Sequence, residues 1–265
     1  MAAEGIYQHY LPSERDFIDK SLDWIRQVVD KQFFRCTYFL NPREREILEN
    51  LSAAEGVQFF SSPPLAESQK VILAPDYYRL EMPDFDLALI EIEFPSKFGQ
   101  LSHRQVLGTL LGETGLERRE IGDILISGAD GRAQFYVSQH LVSHFVSSVK
   151  KIGGLAVRLS EVPLSEALTV EEESVRSVIL VSSLRLDKIV AASLNISRNS
   201  ASNMIQSGQI KVNYSRIIKA DHLLDKEDLV SIRGYGRIKV LHLLGFTKKD
   251  KMKIEISRIL SRKGK

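Results

Sequence analysis

The sequence predicts an α+β protein made of three units. Capping signals followed by apolar residues at helical spacing predict a helical and mixed unit over residues 1–75. Signals in the order β-α-β-β-α-β predict a second unit over 76–163. After a linker at 164–180, two short helix patterns that run into a glycine turn and strands predict a third unit over 181–265.

The first unit carries two helix-start signals. Ser13, with Asp16 three residues later, predicts the start of one helix. Asn41, followed by Pro42 and Glu44, predicts the start of another. Four apolar residues at helical spacing form the predicted inward face of the first helix: Ile18, Leu22, Ile25 and Val29. Strands are predicted at 59–60 and 70–73, separated by a turn-rich segment.

The second unit alternates strand and helix signals. Strands are predicted at 87–94, 124–126, 134–137 and 156–159, with helices from residue 102 and over 138–149. Ser102, with Gln105 three residues on, predicts a helix N-terminus, and Asp130-Gly131 predicts a hairpin turn. This order is typical of a split-βαβ sandwich of the ferredoxin-like or RRM-like kind.

The third unit predicts a site for an anion. A helix over 185–194 would leave Arg185 and Lys188 at the solvent side, and Ser197 would cap a second helix that ends at Gly208. The start of the second helix combines a positive dipole end with the Arg198 guanidinium, which suits a phosphate.

Charge divides the chain unevenly. Residues 1–169 hold 17 Lys and Arg against 24 Asp and Glu, a balance of −7, whereas residues 170–265 hold 19 against 10, a balance of +9. A polyanion is therefore expected to bind the C-terminal part by counterion release. The basic segment 248–256 alternates charged and apolar residues and is interpreted as an edge strand with one wet basic face.

The motifs of the third unit resemble those of the S4 RNA-binding domain. They are Arg185-Leu186-Asp187, Ser197-Arg198, Gly208-x-Ile210-x-Val212-Asn213, Asp228 and Arg233-Gly234. The resemblance implies a small αL-type fold that presents two helices to structured RNA. The residues expected to contact RNA are Arg185, Lys188, Ser197, Arg198, Lys211, Asn213, Arg233, Arg237 and Lys239. Asp187 is expected to hold a neighbouring arginine or to cap the helix rather than to act in catalysis.

Upstream motifs extend the likeness to the YlmH family of bacterial S4-domain proteins. They include 6–10, 39–44, 101–110, 121–124 and 233–237. The resemblance implies a cytoplasmic, monomeric, non-enzymatic protein that binds rRNA and tRNA on the large ribosomal subunit. It further implies ribosome-associated quality control, the rescue of stalled subunits that carry peptidyl-tRNA. Family genes lie among cell-division genes, so a division role is an alternative, through protein partners.

The second unit offers another candidate RNA site. It comprises Lys97, His103, Arg104 and Gln105, at the start of a helix with a donor-rich first turn, and an ordinary capped helix is the competing interpretation. Base stacking on Phe135 or Tyr136 is a further hypothesis, although these neighbours point to opposite faces of a strand, so at most one could stack.

Enzyme, metal and membrane classes receive little support from the sequence. His140 and His144 stand four apart without a third ligand, no nucleotide-binding fingerprint has the right context, and no cofactor, small-molecule substrate or catalytic residue is predicted. An S4-linked RNA-modifying enzyme remains the minor alternative. The single cysteine, Cys36, fits a reducing compartment, and neither a membrane span nor a secretory signal is evident.

Overall fold

The computed structural model describes residues 3–63, 67–127, 131–169 and 174–260. The fold class is α+β, as predicted. The chain divides into two compact units: one is Asp16–Val170, and the other is Met1–Arg15 with Glu171–Lys265. The segments predicted as separate units at 1–75 and 76–163 therefore fall, apart from the first fifteen residues, in one compact unit.

The N-terminal part of the chain contains three helices and a small sheet. Its elements are α1 (Ala3–Tyr7), α2 (Arg15–Lys31), β1 (Arg35–Cys36), α3 (Pro42–Ala54), β2 (Gln58–Ser61) and β3 (Val71–Ala74). Strand β3 pairs antiparallel with both β1 and β2, and all four of its residues are buried. The predicted start of α3 is confirmed: the Asn41 side chain accepts from the Glu44 N–H, and Glu44 accepts from the Asn41 N–H.

Helix α2 differs in detail from its prediction. It follows a 3₁₀ turn, Pro12–Glu14, in which the Glu14 carboxylate rather than Ser13 accepts a backbone N–H, that of Leu11. Its buried face contains Ile18, Ser21, Trp24, Ile25 and Val28. The assignment of Val29 to the inward face was wrong, because Val29 is 46% exposed and its neighbour Val28 takes the core position.

The middle part of the chain has the predicted β-α-β-β-α-β order with one added hairpin. Its elements are β4 (Leu87–Glu93), α4 (His103–Thr114), β5 (Ile121–Ser127), β6 (Arg132–Ser138), α5 (Val142–Ser148), β7 (Lys151–Ile152), β8 (Leu155–Ala156) and β9 (Arg158–Val162). The four long strands form an antiparallel sheet in the order β5-β6-β4-β9. This arrangement is consistent with a ferredoxin-like sandwich.

Both faces of this sheet are covered. Phe135 packs in the core that includes residues of α4 and α5. Tyr136, its neighbour on β6, lies on the other face against Phe39 and Leu89 and is 1% exposed. The hypothesis that one of the two aromatic residues stacks a base was wrong, because neither ring is accessible to a ligand.

The C-terminal part of the chain packs two helices on one antiparallel sheet. Its elements are β10 (Ser174–Val181), α6 (Leu186–Leu194), α7 (Arg198–Gln206), β11 (Ile210–Val212), β12 (Ser215–Arg216), β13 (Leu229–Ile232), β14 (Gly236–Phe246) and β15 (Met252–Leu260). The strand order is β10-β15-β14-β13-β11-β12. Residues from α6, α7 and one sheet face form a shared apolar core, which includes Leu186, Ile189, Ala201 and Ile205.

Two segments of this unit differ from the sequence interpretation. The segment 164–180, predicted as a linker, contains most of β10, whose alternate residues Ile179 and Val181 are buried. The basic segment at 248–256 was predicted as an edge strand, and this was wrong, because β10 and β14 flank β15 on its two sides. Strand β10 supplies the edge instead.

Candidate nucleic-acid interface

The two helices of the C-terminal unit are joined by a buried carboxylate. Asp187, in the first turn of α6, is 1% exposed. Its oxygens accept hydrogen bonds from Arg185 Nε and a terminal nitrogen of Arg185, both at 3.2 Å, and from Arg198 Nε at 2.7 Å. The expectation that Asp187 holds a neighbouring arginine is confirmed, and it holds two.

Capping residues place these arginines. Arg185 is the N-cap residue of α6, and Arg198 is the first residue of α7. Helix α6 ends at Asn195 in the left-handed conformation, and the Ser197 hydroxyl then caps α7 by accepting from the Ser200 N–H at 3.0 Å. The short connection between the helices thus brings the start of α7 within reach of Asp187.

Electrostatics favour an ionised carboxylate at this position. Burial alone would raise the pKa of Asp187, but the hydrogen bonds and charges of Arg185 and Arg198 outweigh it and hold that pKa below its usual value. The hydrogen bond to Asp187 in turn raises the pKa of Arg185. Two guanidinium groups that share one carboxylate keep a net charge of +1.

The ion pairs do not bury the arginines. The side chain of Arg198 is 54% exposed and that of Arg185 is 33% exposed. A guanidinium has five N–H donors, whereas Arg198 donates one hydrogen bond to Asp187 and Arg185 donates two. The pairing therefore fixes the direction of both side chains and is compatible with a phosphate contact on their exposed parts.

The polar groups of Lys188 and Ser197 form hydrogen bonds within the protein. The Lys188 ammonium donates to the Ser182 hydroxyl at 2.7 Å and is half-buried. The Ser197 hydroxyl serves the cap of α7. Lys188 lies in the first turn of α6, and Ser197 is the N-cap residue of α7.

The sheet carries a second group of cations on the side away from the helices. Directly opposed residues of antiparallel strands project from the same face. The register pairs Lys211 with Arg216 and with Ser231, and Ser231 with Arg237, so the three cations share one face, here called the outer sheet face. Adjacent strands lie about 4.8 Å apart, so these side chains start from a row of positions across four strands, and the Arg216 guanidinium then turns back toward the end of α7.

The remaining predicted residues of this unit are distributed as follows. Arg233 is exposed in the turn between β13 and β14. Lys239 is on the outer sheet face and forms an ion pair with Glu227 at 2.8 Å, which lowers the pKa of Glu227. Asn213 has a positive φ of 46°, donates to Asp228 at 2.7 Å and accepts from the Leu229 N–H at 2.9 Å. Its amide therefore holds a turn.

Arg216 is a member of the row that sequence reasoning missed. It reaches back over Gly208, whose φ is +69°, and donates to the Ser207 carbonyl at 3.2 Å. Asn213 and Tyr214, both with positive φ, form the turn between β11 and β12. In the sequence, Asn213 was the signal for this turn. A two-residue hairpin turn of this kind places Lys211 and Arg216 opposite each other.

The candidate site of the middle part lies around the start of α4. Lys97, His103, Arg104 and Gln105 are all exposed. The Gln105 amide oxygen accepts from the Ser102 N–H at 3.0 Å, and the Ser102 hydroxyl accepts from the Gln105 N–H at 3.3 Å, so the predicted capping box is confirmed. Gln105 is thus used within the helix start, whereas the Lys97 and Arg104 side chains remain exposed.

The two histidines considered as metal ligands, His140 and His144, contact other protein groups. His140 Nδ1 contacts the Asp86 carboxylate at 2.7 Å, and His144 Nε2 lies 3.4 Å from the Thr114 carbonyl oxygen. Over the described ranges, no group of three or more His, Cys, Asp and Glu residues could hold a metal ion. None of the helices in those ranges is long and apolar enough to span a bilayer.

Comparisons with known protein families match three segments of the chain. Three family models match: "YlmH, N-terminal" at residues 13–78, "Putative RNA-binding domain in YlmH" at 81–166, and "S4 domain" at 184–230. A Bacillus subtilis (strain 168) protein named "Ribosome-associated protein quality control protein P2" is 34% identical over 256 residues, covering 96% of this chain and 98% of that protein.

A solved structure is also similar. It is titled "Cell division protein ylmH from Streptococcus pneumoniae" and has 34% sequence identity to this chain and a TM-score of 0.55. The match covers 62% of this chain and 99% of that one.

Proposed function

This chain belongs to the YlmH family of S4-domain RNA-binding proteins, and from that premise we propose that it docks on the large ribosomal subunit and contacts rRNA and tRNA there. The work proposed for it is ribosome-associated quality control, in which stalled subunits that carry peptidyl-tRNA are rescued. The name of the Bacillus subtilis relative, which is similar over nearly the whole chain, supports this choice. The protein would act by binding, as a cytoplasmic monomer.

The observation that carries the proposal is the arginine pair on Asp187. Arg185 and Arg198 are fixed by a buried carboxylate yet remain a third and a half exposed. Cations that are held in place lose little conformational entropy when they bind a phosphate. The region 174–260 contains sixteen Lys and Arg against seven Asp and Glu, a balance of +9, which supplies the longer-range attraction.

The RNA-contact residues proposed here form two groups. One surrounds the helix starts and comprises Arg185, Lys188, Ser197 and Arg198. The other is on and beside the outer sheet face and comprises Lys211, Arg233, Arg237 and Lys239. Asn213 acts through the turn that it holds. A weaker contact is proposed at the start of α4, through Lys97, His103 and Arg104.

Sedimentation with purified large ribosomal subunits tests the proposal. Arg198→Glu is expected to weaken binding at least tenfold, because it replaces a phosphate contact with a repulsive charge. Arg158→Glu is the matched control, since Arg158 is exposed on β9, outside the proposed surface, and the substitution makes the same change in net charge. Subunits with and without bound tRNA would be compared, and tighter binding is expected with tRNA.

Two results would count against the proposal. One is equal binding of Arg198→Glu and Arg158→Glu at moderate salt. The other is equal binding to subunits with and without tRNA. That result would contradict the proposed tRNA contact but not the proposed rRNA contact.

A division adaptor is the second candidate, because the similar Streptococcus pneumoniae structure is titled a cell division protein. In that case protein partners, rather than RNA, would mediate the association of this chain with cell components. Treatment of a lysate with ribonuclease separates the two: ribosomal docking predicts that the association is lost, and an adaptor predicts that it survives.

A further inference from the structure

Strand β10 forms a long open edge of the six-stranded sheet. All eight of its residues pair with β15 in an uninterrupted register. Within the part of the chain that the structure describes, no strand pairs with its other side. The opposite edge of the same sheet, β12, has only two residues. An eight-residue edge presents roughly 26 Å of backbone with outward N–H and C=O groups.

This edge lacks the usual protections against pairing. Native edge strands are kept short, interrupted by a bulge or proline, or given several charges. Strand β10 reads Ser-Val-Arg-Ser-Val-Ile-Leu-Val, without Pro or Gly and with one charge, Arg176. By contrast β5, a seven-residue edge strand, contains a register shift between Ile121 and Ile124. The backbone of β10 is therefore open to an additional strand.

Exposed apolar side chains occur on β10 and, two strands away, near the end of β14. Six of them are between 50% and 61% exposed: Val175, Val178, Leu180, Leu243, Leu244 and Phe246. The register places Phe246 opposite Met252, and Met252 opposite Val181, so the end of the β14–β15 hairpin lies beside the end of β10. Val178 and Leu180 project from one face of β10, so a strand added at this edge would bring its own alternate side chains beside them.

The charge of the C-terminal region indicates which kind of molecule pairs with β10. The region 174–260 has a balance of +9, so a second copy would bring like charge to the same edge. Arg176 is opposite the uncharged Ser257, whereas Val178 is opposite Glu255. A carboxylate is therefore favoured opposite Arg176 and disfavoured at the position of Val178, where an apolar residue fits. RNA is not the expected occupant, because it has no peptide groups to form strand hydrogen bonds with β10 and no apolar side chains to pack beside Val178 and Leu180.

We propose that β10 accepts an extended segment of a partner protein as a seventh strand. That segment has apolar residues at alternate positions, facing Val178 and Leu180, and a carboxylate opposite Arg176. Main-chain hydrogen bonds along the edge supply affinity, and the alternate side chains supply selectivity. The edge adjoins the outer sheet face, because the register places Arg176 opposite Ser257 and Ser257 opposite Lys239. The proposal rests on the open backbone of β10 and does not depend on RNA binding.

Synthetic peptides and amide hydrogen exchange test the proposal on the full chain. The probe is an eight-residue peptide of Val and Thr with one Glu placed opposite Arg176, and its partner probe has Lys in place of Glu. The Glu peptide is expected to slow exchange of β10 amides and to bind about two- to fivefold more tightly than the Lys peptide, as a cross-strand ion pair does. Arg176→Glu should reverse that preference.

Variants at exposed positions complete the test. Leu180→Lys adds an edge charge and should abolish peptide binding, whereas the control Ile218→Lys, at a residue 60% exposed in the same unit, should not. The proposal is overturned if neither peptide slows exchange at β10, or if Arg176→Glu leaves the preference unchanged. It is also overturned if β10 amides are protected by self-association, seen as concentration-dependent sedimentation, or by RNA alone.

Discussion

Removal of the shared carboxylate, through Asp187→Asn, is expected to destabilise the C-terminal unit by about 2–3 kcal/mol. The wild-type side chain accepts three hydrogen bonds from two guanidinium groups. Buried hydrogen bonds to charged groups contribute about 1.5–3 kcal/mol each. The arginines are a third and a half exposed, so water replaces part of the loss and the total is discounted accordingly. The new amide also turns an N–H₂ group toward cations.

The loss of stability caused by Asp187→Asn should depend on pH. The pKa of Asp187 lies below its usual value in the folded protein. A carboxylate with a depressed folded pKa stabilises fully above its unfolded pKa, about 3.9, and loses that contribution as pH falls through the folded pKa. The difference in unfolding free energy between wild type and Asp187→Asn is therefore expected to be constant above about pH 5 and to shrink below about pH 4.

Urea unfolding followed by NMR amide peaks of α6 and α7 is the suitable assay. The single tryptophan, Trp24, lies in the other compact unit and does not report on these helices. A difference below about 0.5 kcal/mol at pH 6 would refute the reasoning. So would a large difference that stays the same from pH 6 to pH 3, since it would come from packing rather than from the charge.

Three further outcomes are expected. RNA affinity should fall linearly on a log-log salt plot, and Lys211→Ala should make the slope shallower by about 0.7–0.9, checked by a titration at several salt concentrations. Gly122→Ala should destabilise by about 1–3 kcal/mol, because an added Cβ would lie 2.8 Å from Tyr136 Cβ; thermal melting measures this. Lys70→Met should cost about 2–3 kcal/mol through the lost contact with Asp86, measured by tryptophan fluorescence in urea, and an unchanged midpoint would contradict it.

Local signals in the sequence predicted the elements that depend on a few neighbouring residues. The capping boxes at Asn41 and Ser102 were confirmed because each needs only a helix and its own first turn. The end of the second helix at Gly208, whose φ is +69°, was predicted for the same reason. The motifs of the C-terminal unit likewise identified the residues around Asp187.

Features that depend on distant partners were missed. Strand β10 pairs with β15, whose residues are more than seventy positions later, so its segment was interpreted as a linker. The same pairing explains why the basic segment near the C-terminus is not an edge. Tyr136 was considered for base stacking because the sequence does not reveal that Phe39, almost a hundred residues earlier, packs over the same sheet face. Helical periodicity alone also did not separate Val28 from Val29.

The covered sheet of the middle part has a consequence for specificity. With Tyr136 sealed beneath Phe39, a ribonucleotide cannot insert its base between side chains there. An RNA that touches the site proposed at the start of α4 meets the exposed side chains of Lys97 and Arg104. Contacts of this kind depend on RNA shape and phosphate spacing rather than on nucleotide identity. Transversions in that RNA are therefore expected to leave binding unchanged, whereas melting of its duplex is expected to weaken binding.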